Sequence, residues 1–289
     1  MHETGDASPE RANRDFLRTT FDAAADRYQR ARPEYPAELF EVLIEATGIS
    51  PESRLLEVGC ATGKATLPLA RRGYSVTCIE LGEALAGRAR DELAGFPRVS
   101  VINADFDSWE PPSNTAYDLV FAATAWQWLD PDARYRKAWQ LLRPGGWLAF
   151  WDASHVFPCD GDPFFERIQE VYDEIGEGLP PGSSRRQPGE VPERRGEVEA
   201  GGWFECVEIR QFDWEVVYDA EGYVELLNTF SNHIAMEPWQ RERLFSEVRR
   251  RLAARRDGLV RRHWGAALHV ARRSPQTATG NVAGVVTFG

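Results

Sequence analysis

The sequence predicts an α/β fold, doubly wound around a mainly parallel, seven-stranded sheet with a helical lid. Three observations predict it. Short apolar runs alternate with amphipathic stretches between residues 54 and 151, a glycine turn follows the first run, and the rhythm breaks after residue 155. Strands alternating with helices need right-handed crossovers and so build a parallel sheet.

The elements follow in order. Arg54–Val58 (RLLEV) is a short apolar run ending at a glycine, which reads as a buried strand. Lys64–Arg72 follows as a helix, with Pro68 placed where only a first turn tolerates it. Ser75–Glu80 is the second strand, Glu83–Leu93 a helix, Val99–Asn103 the third strand and Tyr117–Ala122 the fourth. A helix over Asp130–Leu142 is stopped by Pro144–Gly146, and Trp147–Trp151 is the fifth strand. Beyond it, a helix is expected over Pro163–Ile175, followed by the Gly-, Pro- and charge-rich GEGLPPGSSRRQPGEVPERRGE, which reads as loop or lid. Strand alternation returns at Cys206–Tyr218, two helices follow at Ala220–Thr229 and Trp239–Ala254, and His263–Arg272 is the seventh strand. The expected organisation is a flexible segment 1–20, a ligand-binding core 21–155 with an N-terminal helix, and an insertion 156–204. The last strands, 205–273, carry lid helices within 220–255, and a flexible tail covers 274–289.

A chain of 289 residues buries enough surface to fold without disulfides or a structural metal. The formal charge of −11 argues against a general nucleic-acid binder, which needs a basic footprint on phosphates. The arginine-rich run 241–262 places Leu244, Phe245, Val248 and Leu252 on one helical face, so its arginines read as a solvated face or an anion-binding surface. Cys60, Cys78, Cys159 and Cys206 are widely spaced, with no CxxC and no HExxH, so no metal site is suggested. The N-terminus lacks an apolar signal segment and no run approaches the roughly 20 residues of a membrane span. A cytoplasmic protein with reduced thiols, no membrane and no nucleic-acid partner is therefore expected.

The strongest motif is LLEVGCATGKAT, Leu55–Thr66, which joins strand, glycine turn and helix. Such a turn brings backbone N–H groups to the carboxyl end of a sheet, where α/β proteins hold ligands. A phosphate-binding P-loop needs four residues between its glycines and Ser or Thr after the Lys; here three separate Gly59 from Gly63, and Ala65 follows Lys64. The dinucleotide fingerprint needs Gly at 61 and 64, where Ala and Lys stand.

What remains, E-x-G-x-x-x-G from Glu57 to Gly63, resembles the first motif of the class I S-adenosylmethionine-dependent methyltransferases, whose fold is Rossmann-like. The resemblance covers roughly Phe21 to Arg273. FDAAADRYQRARPEYP (Phe21–Pro36) and TAWQWLDPDARYRKA (Thr124–Ala138) are similar to a small-molecule branch that includes trans-aconitate methyltransferase-like proteins, and LLRPGGWLAF (Leu141–Phe150) to the family's structural core motif. It implies S-adenosyl-L-methionine as cofactor, leaving as S-adenosyl-L-homocysteine. Glu57 would act on the methionine amine, with Gly59, Cys60, Ala61 and Gly63 forming the loop beneath. Glu80, with Leu81 beside it, would accept from the ribose hydroxyls, Asp105 from the adenine amino group, and Phe106 would pack on that ring. Ala122 would leave room for the cofactor, and Tyr28 and Arg32 would lie near its methionine end.

For methyl transfer the protein supplies alignment and exclusion of water. Trp126, just after the fourth strand, is expected to line the methyl-transfer region, where an aromatic face favours a cationic sulfonium. A hydroxyl acceptor would use a base, for which His155, His233 and Tyr223 are candidates. A carboxylate acceptor would instead need a clamp, with Arg32, Arg185 and Arg186 available. A small-molecule methyltransferase is the first expectation, O-methylation the expected chemistry. A nucleic-acid or protein methyltransferase, and a homologue that binds cofactor without transferring methyl groups, are the alternatives.

Overall fold

The computed structural model describes Asp22, residues 25–180 and residues 185–275. The expected flexible segment 1–20, nearly all of the tail and residues 181–184 of the insertion lie outside it. Eight strands form one sheet: β1 Arg54–Val58, β2 Ser75–Glu80, β3 Val99–Asn103, β4 Tyr117–Ala123, β5 Leu142–Trp151, β6 Ser154–His155, β7 Phe204–Tyr218 and β8 Val260–Arg273. Their order is β3-β2-β1-β4-β5-β8-β6, with β7 pairing β8 from its other side. The first five are parallel, and β8 is antiparallel to its neighbours. The strand beyond the expected seven is β6, two residues that pair with Gly265 and Trp264 of β8.

Alternation along the strands assigns the two faces. On one, Leu55, Val76, Leu119, Phe121 and Trp151 pack with Leu39, Phe40 and Leu43 of the helix Ala37–Thr47. On the other, Leu56, Val58, Val120, Leu148 and Phe150 pack with Trp126, Tyr135 and Trp139. The helix after the glycine loop begins at Thr66, later than expected, because residues 61–65 are spent on turns. Similarly, the helix before β5 covers only Arg134–Leu141.

A third apolar cluster joins the helices between residues 164 and 253 to β7 and β8. Phe164, Phe165, Ile168, Val171 and Ile175 pack with Tyr223, Leu227, Leu244, Val248, Leu252 and Trp264. The helix expected over 163–175 is two short ones, Phe164–Arg167 and Gln169–Glu174, and their buried face continues across the break at Ile168. Asp219 caps Ala220–Leu227 by accepting from the Gly222 N–H at 2.7 Å. Pro238–Ala253 opens on a Glu237–Gln240 capping box. Four of its five arginines are paired: Arg243 with Glu174, Arg249 with Glu221, and Arg250 and Arg251 with Glu247. Arg262, the last residue of that basic run, departs from the solvated-face reading. It lies on β8 and is only 3% exposed.

Candidate functional site

At the carboxyl ends of β1, β2 and β4 lies a cavity of about 240 Å3, bounded by the glycine loop, the helix Ala25–Ala31 and the lid segment Phe230–Asn232. A side chamber of about 20 Å3 opens beside Glu57 and shares Tyr28, Arg32, Gly59, Ala61, Thr124 and Ala153 with it. The loop crosses left-handed backbone at Gly59 (φ 69°), Ala61 (φ 48°) and Gly63 (φ 87°). Gly59 has no alternative. A Cβ there would stand 2.5 Å from the Cβ of Ala125. Gly63 serves packing instead, since its own Cβ position faces Leu93 at 2.9 Å and not the cavity.

Glu80 ties the two loops of the site together. One carboxylate oxygen accepts from the Ala61 N–H at 2.8 Å and the other from the Gly82 N–H at 2.9 Å. Burial nevertheless raises its pKa above the ordinary carboxylate value. Glu57 is 1% exposed and accepts from the Thr66 hydroxyl at 2.5 Å. Burial pushes its pKa up to about 8, with the nearby Glu80 adding to the rise. The cavity around Glu80 is walled by Ile79, Leu81, Ala104, Phe106 and Leu129. Its one lining arginine, Arg32, is committed, donating to the Thr229 hydroxyl and carbonyl at 2.8 Å and lying 4.1 Å over Phe230. Buried acids with apolar walls suit a cationic, phosphate-free ligand that carries hydroxyls and a flat ring, and they do not suit a pyrophosphate.

Of the residues singled out from sequence, Tyr28, Arg32, Gly59, Ala61, Glu80, Leu81 and Phe106 line the cavity, and Glu57 and Cys60 the side chamber. Four others do not. Trp126 is fully buried, stacked on Phe150 at 5.4 Å and edge-on to Tyr135 at 5.3 Å. Residues 126–128 make one 3-10 turn, whose three-residue period sends Trp126 into the core and Gln127 and Trp128 to the cavity. Ala122 faces the core by strand alternation, and Ala123 takes the cavity side. Asp105 is not a lining residue: its carboxylate accepts from the Asp107 N–H at 3.1 Å, and Ala104 and Phe106 on either side face the cavity. Gly63 completes the four.

The candidate bases also stand outside the cavity lining. His233 has both ring nitrogens engaged, Nε2 with the Tyr172 hydroxyl at 2.8 Å and Nδ1 with the Asn232 side-chain oxygen at 3.0 Å, and burial pushes its pKa down to about 4. It therefore positions Asn232, which does line the cavity. Tyr223 is packed among Phe164, Phe165 and Tyr218, its pKa raised by burial. His155 lies edge-on to Phe230 at 5.2 Å and Trp264 at 4.5 Å; its Nε2 is buried without a hydrogen-bond partner and burial holds its pKa well below the ordinary value. Among the candidate clamps, Arg185 donates to the Phe165 carbonyl at 2.9 Å and Arg186 is exposed.

Several lining residues were not foreseen, among them Ala104, Ala123, Thr124, Gln127, Ala153 and Phe230–Asn232. Thr124 sits at φ 57°, unfavourable for a β-branched side chain. Three hydrogen bonds hold it there: its N–H donates to Trp151 at 2.7 Å, and its hydroxyl meets Tyr35 at 2.9 Å and the Ala153 N–H at 3.1 Å. No residue pattern announces that conformation.

A glycine loop and paired acids at the strand ends of a 3-2-1-4-5 sheet define a nucleoside-binding α/β domain. Residues 55–146 match the family model of a methyltransferase domain. An uncharacterized methyltransferase of Mycobacterium tuberculosis is 29% identical over 161 residues, 52% of this chain and 63% of that one. Trans-aconitate 2-methyltransferase of Paracidovorax citrulli is 31% identical over 42% of this chain and 46% of its own length. The chain thus spans between about half and two thirds of the length of these relatives. A solved structure from Anaeromyxobacter dehalogenans, assigned as a type II methyltransferase, superposes over 85% of this chain and 99% of that one, with a TM-score of 0.58 at 23% identity. The chain carries a class I S-adenosylmethionine-dependent methyltransferase domain.

Proposed function

We propose that this chain transfers a methyl group from S-adenosyl-L-methionine to an oxygen, hydroxyl or carboxylate, of a small-molecule acceptor in the cytoplasm. The observation that carries the reading is the placing of two buried acids about Gly59, Glu80 at the apolar-walled cavity and Glu57 at the side chamber that adjoins it. Glu57 would hold the methionine amine, Glu80 the ribose hydroxyls, and Leu81, Ala104 and Phe106 the adenine. When bound, the cofactor supplies a methyl group already activated on a sulfonium. The chain's own part is alignment and exclusion of water. Thr124, Ala153 and Phe230–Asn232 line the cavity, Trp128 offers it an aromatic face, and Phe230–Asn232 would close over the bound cofactor.

Relatives' names favour an oxygen acceptor: malonyl-[acyl-carrier protein] O-methyltransferase of Geobacter sulfurreducens is 31% identical over half of this chain. The net charge of −11 favours a small acceptor over RNA or DNA. Cysteines unpaired among the described residues suit a reducing compartment. Calorimetric titration with S-adenosylmethionine and S-adenosylhomocysteine tests the cofactor, and transfer of labelled methyl into small-molecule, RNA and protein pools tests the acceptor. Micromolar binding with label in the small-molecule pool is expected. Label confined to RNA or protein, or no binding to folded chain, overturns the reading.

A further inference from the structure

Arg262 is a buried guanidinium with no acid to neutralise it among the described residues. Its side chain lies 4.5 Å from the Phe157 ring and 4.3 Å from the Phe165 ring, and its Nε and Nη1 are buried without a hydrogen-bond partner. No described carboxylate pairs with it. The groups that act on its charge are the phenols of Tyr223, Tyr172 and Tyr218 and a second cation, Arg185. Asp162, the acid whose charge acts on Tyr223, is taken by Arg255 and by the Arg261 N–H. Burial pushes Arg262 down to about 10, which still leaves it charged at neutral pH. A desolvated charge without a partner costs several kcal/mol unless something in the working protein compensates it.

The surroundings lead from this cation to the cofactor cavity. Phe230 and Ala153 line that cavity. The His155 ring packs against Phe230 and Trp264, and its unpartnered Nε2 is a second buried polar atom on the way to Arg262. Asn232 at the cavity is joined through His233 to Tyr172. Val156 donates to the His263 carbonyl, so Arg262 stands level with Phe157, four residues and roughly 13 Å of strand beyond Ala153.

From this geometry we infer that Arg262 is the anchor for a carboxylate at the far end of an elongated, apolar-bodied acceptor. The inference rests on the methyl-transfer reading for where the other end goes. The acid pairs with Arg262 and receives a hydrogen bond from Tyr223, since the Tyr172 and Tyr218 hydroxyls are engaged with His233 and with the Ala31 carbonyl. The body lies along Phe230, His155 and Trp264, and the nucleophile reaches the cavity beside Thr124. One guanidinium among aromatic rings suits a monoanion better than a phosphate, which calls for more donors.

The test uses the full chain saturated with S-adenosylhomocysteine and two probe acids, 4-phenylbutyrate and octanoate, each against its primary amide. Binding is followed calorimetrically and by melting, for the wild type and for Arg262→Met. The acids should bind the wild type at least tenfold more tightly than the amides, and Arg262→Met should lose at least tenfold in acid binding with unchanged affinity for S-adenosylhomocysteine. Because the substitution removes an uncompensated buried charge, the Tm of the free variant should rise by roughly 2–4 °C. Acids binding no better than amides, acid binding that survives Arg262→Met, or a lower Tm with acid binding unchanged overturns the anchor. Failure of S-adenosylhomocysteine to bind, with acid binding still dependent on Arg262, would instead remove the methyl-transfer reading and leave the anchor standing.

Discussion

Cofactor binding should release a proton from Glu57. With its pKa near 8, the carboxyl is about 0.9 protonated at pH 7, although a carboxylate in water would be ionised. An ammonium group brought against it favours the ionised form, so that proton leaves. The ligand's α-amine, with an ordinary pKa near 7.8, arrives about 0.86 protonated and takes up the remaining 0.14. The net release at pH 7 is therefore about 0.75 proton per S-adenosylhomocysteine bound. It should shrink to zero just below pH 8, where affinity is greatest, and reverse to uptake at pH 9. Titrations in phosphate and Tris, whose ionisation enthalpies differ, read the number directly. Glu57→Gln keeps an acceptor for Thr66 but has no proton to lose, so at pH 7 it should release about 0.9 proton fewer than the wild type. Any release from Glu80, also raised by burial, is common to both proteins and cancels in the difference. Equal proton release by wild type and Glu57→Gln would refute the placing of the amine at Glu57.

Other perturbations are equally direct. Glu57 also makes the ligand-free protein less stable as pH rises: between about pH 4.5 and 8 the folded state keeps a proton that the unfolded state has lost, about 1.4 kcal/mol per pH unit. Denaturant titrations should show that slope flattened in Glu57→Gln. Gly59→Ala combines a left-handed backbone, about 1 kcal/mol for a residue with a Cβ, with the clash on Ala125, and should cost at least tenfold in S-adenosylhomocysteine affinity by calorimetry. Adding Ala125→Gly should recover part of it, and no recovery would mean that the clash is not the cause. Trp126→Ala should lose about 3–5 kcal/mol of stability in chemical denaturation, as a stacked core residue does, whereas Trp128→Ala should mainly weaken ligand binding. The opposite pattern would restore Trp126 to the cavity wall.

What the sequence announced and what it hid divide along physical lines. β1 to β4 and the glycine loop were legible because buried strands leave apolar runs and left-handed backbone selects glycine. Ala61 and Thr124 adopt the same backbone region without a glycine, held by Glu80 and by Tyr35 with Trp151, and those partners are distant in sequence. Trp126 and Trp128 are both aromatic and two residues apart, so only the pitch of the turn decides which one meets the cavity. Arg262 was hidden most completely. It ends a run of arginines of which Arg243, Arg249, Arg250 and Arg251 pair with acids, and the helix that carries those four stops at Ala253, nine residues before it. The split of Pro163–Ile175 into two helices left no mark, since its buried positions keep helical spacing throughout.

The long antiparallel β7–β8 pair also sets the order in which the molecule can be completed. β1 to β5 are joined by short local crossovers and can assemble as soon as residue 151 is made. Until Val260–Arg273 arrives, however, β5 keeps a row of unpaired backbone groups flanked by Leu148, Phe150 and Trp151. That edge stays open while more than a hundred further residues are added, and an apolar edge of this kind invites pairing with other chains. During synthesis the ligand-binding half would thus be built early yet unprotected, and its solubility would hang on the last strand. A ribosome pausing between residues 151 and 260 would lengthen the period in which a chaperone has to shield that edge.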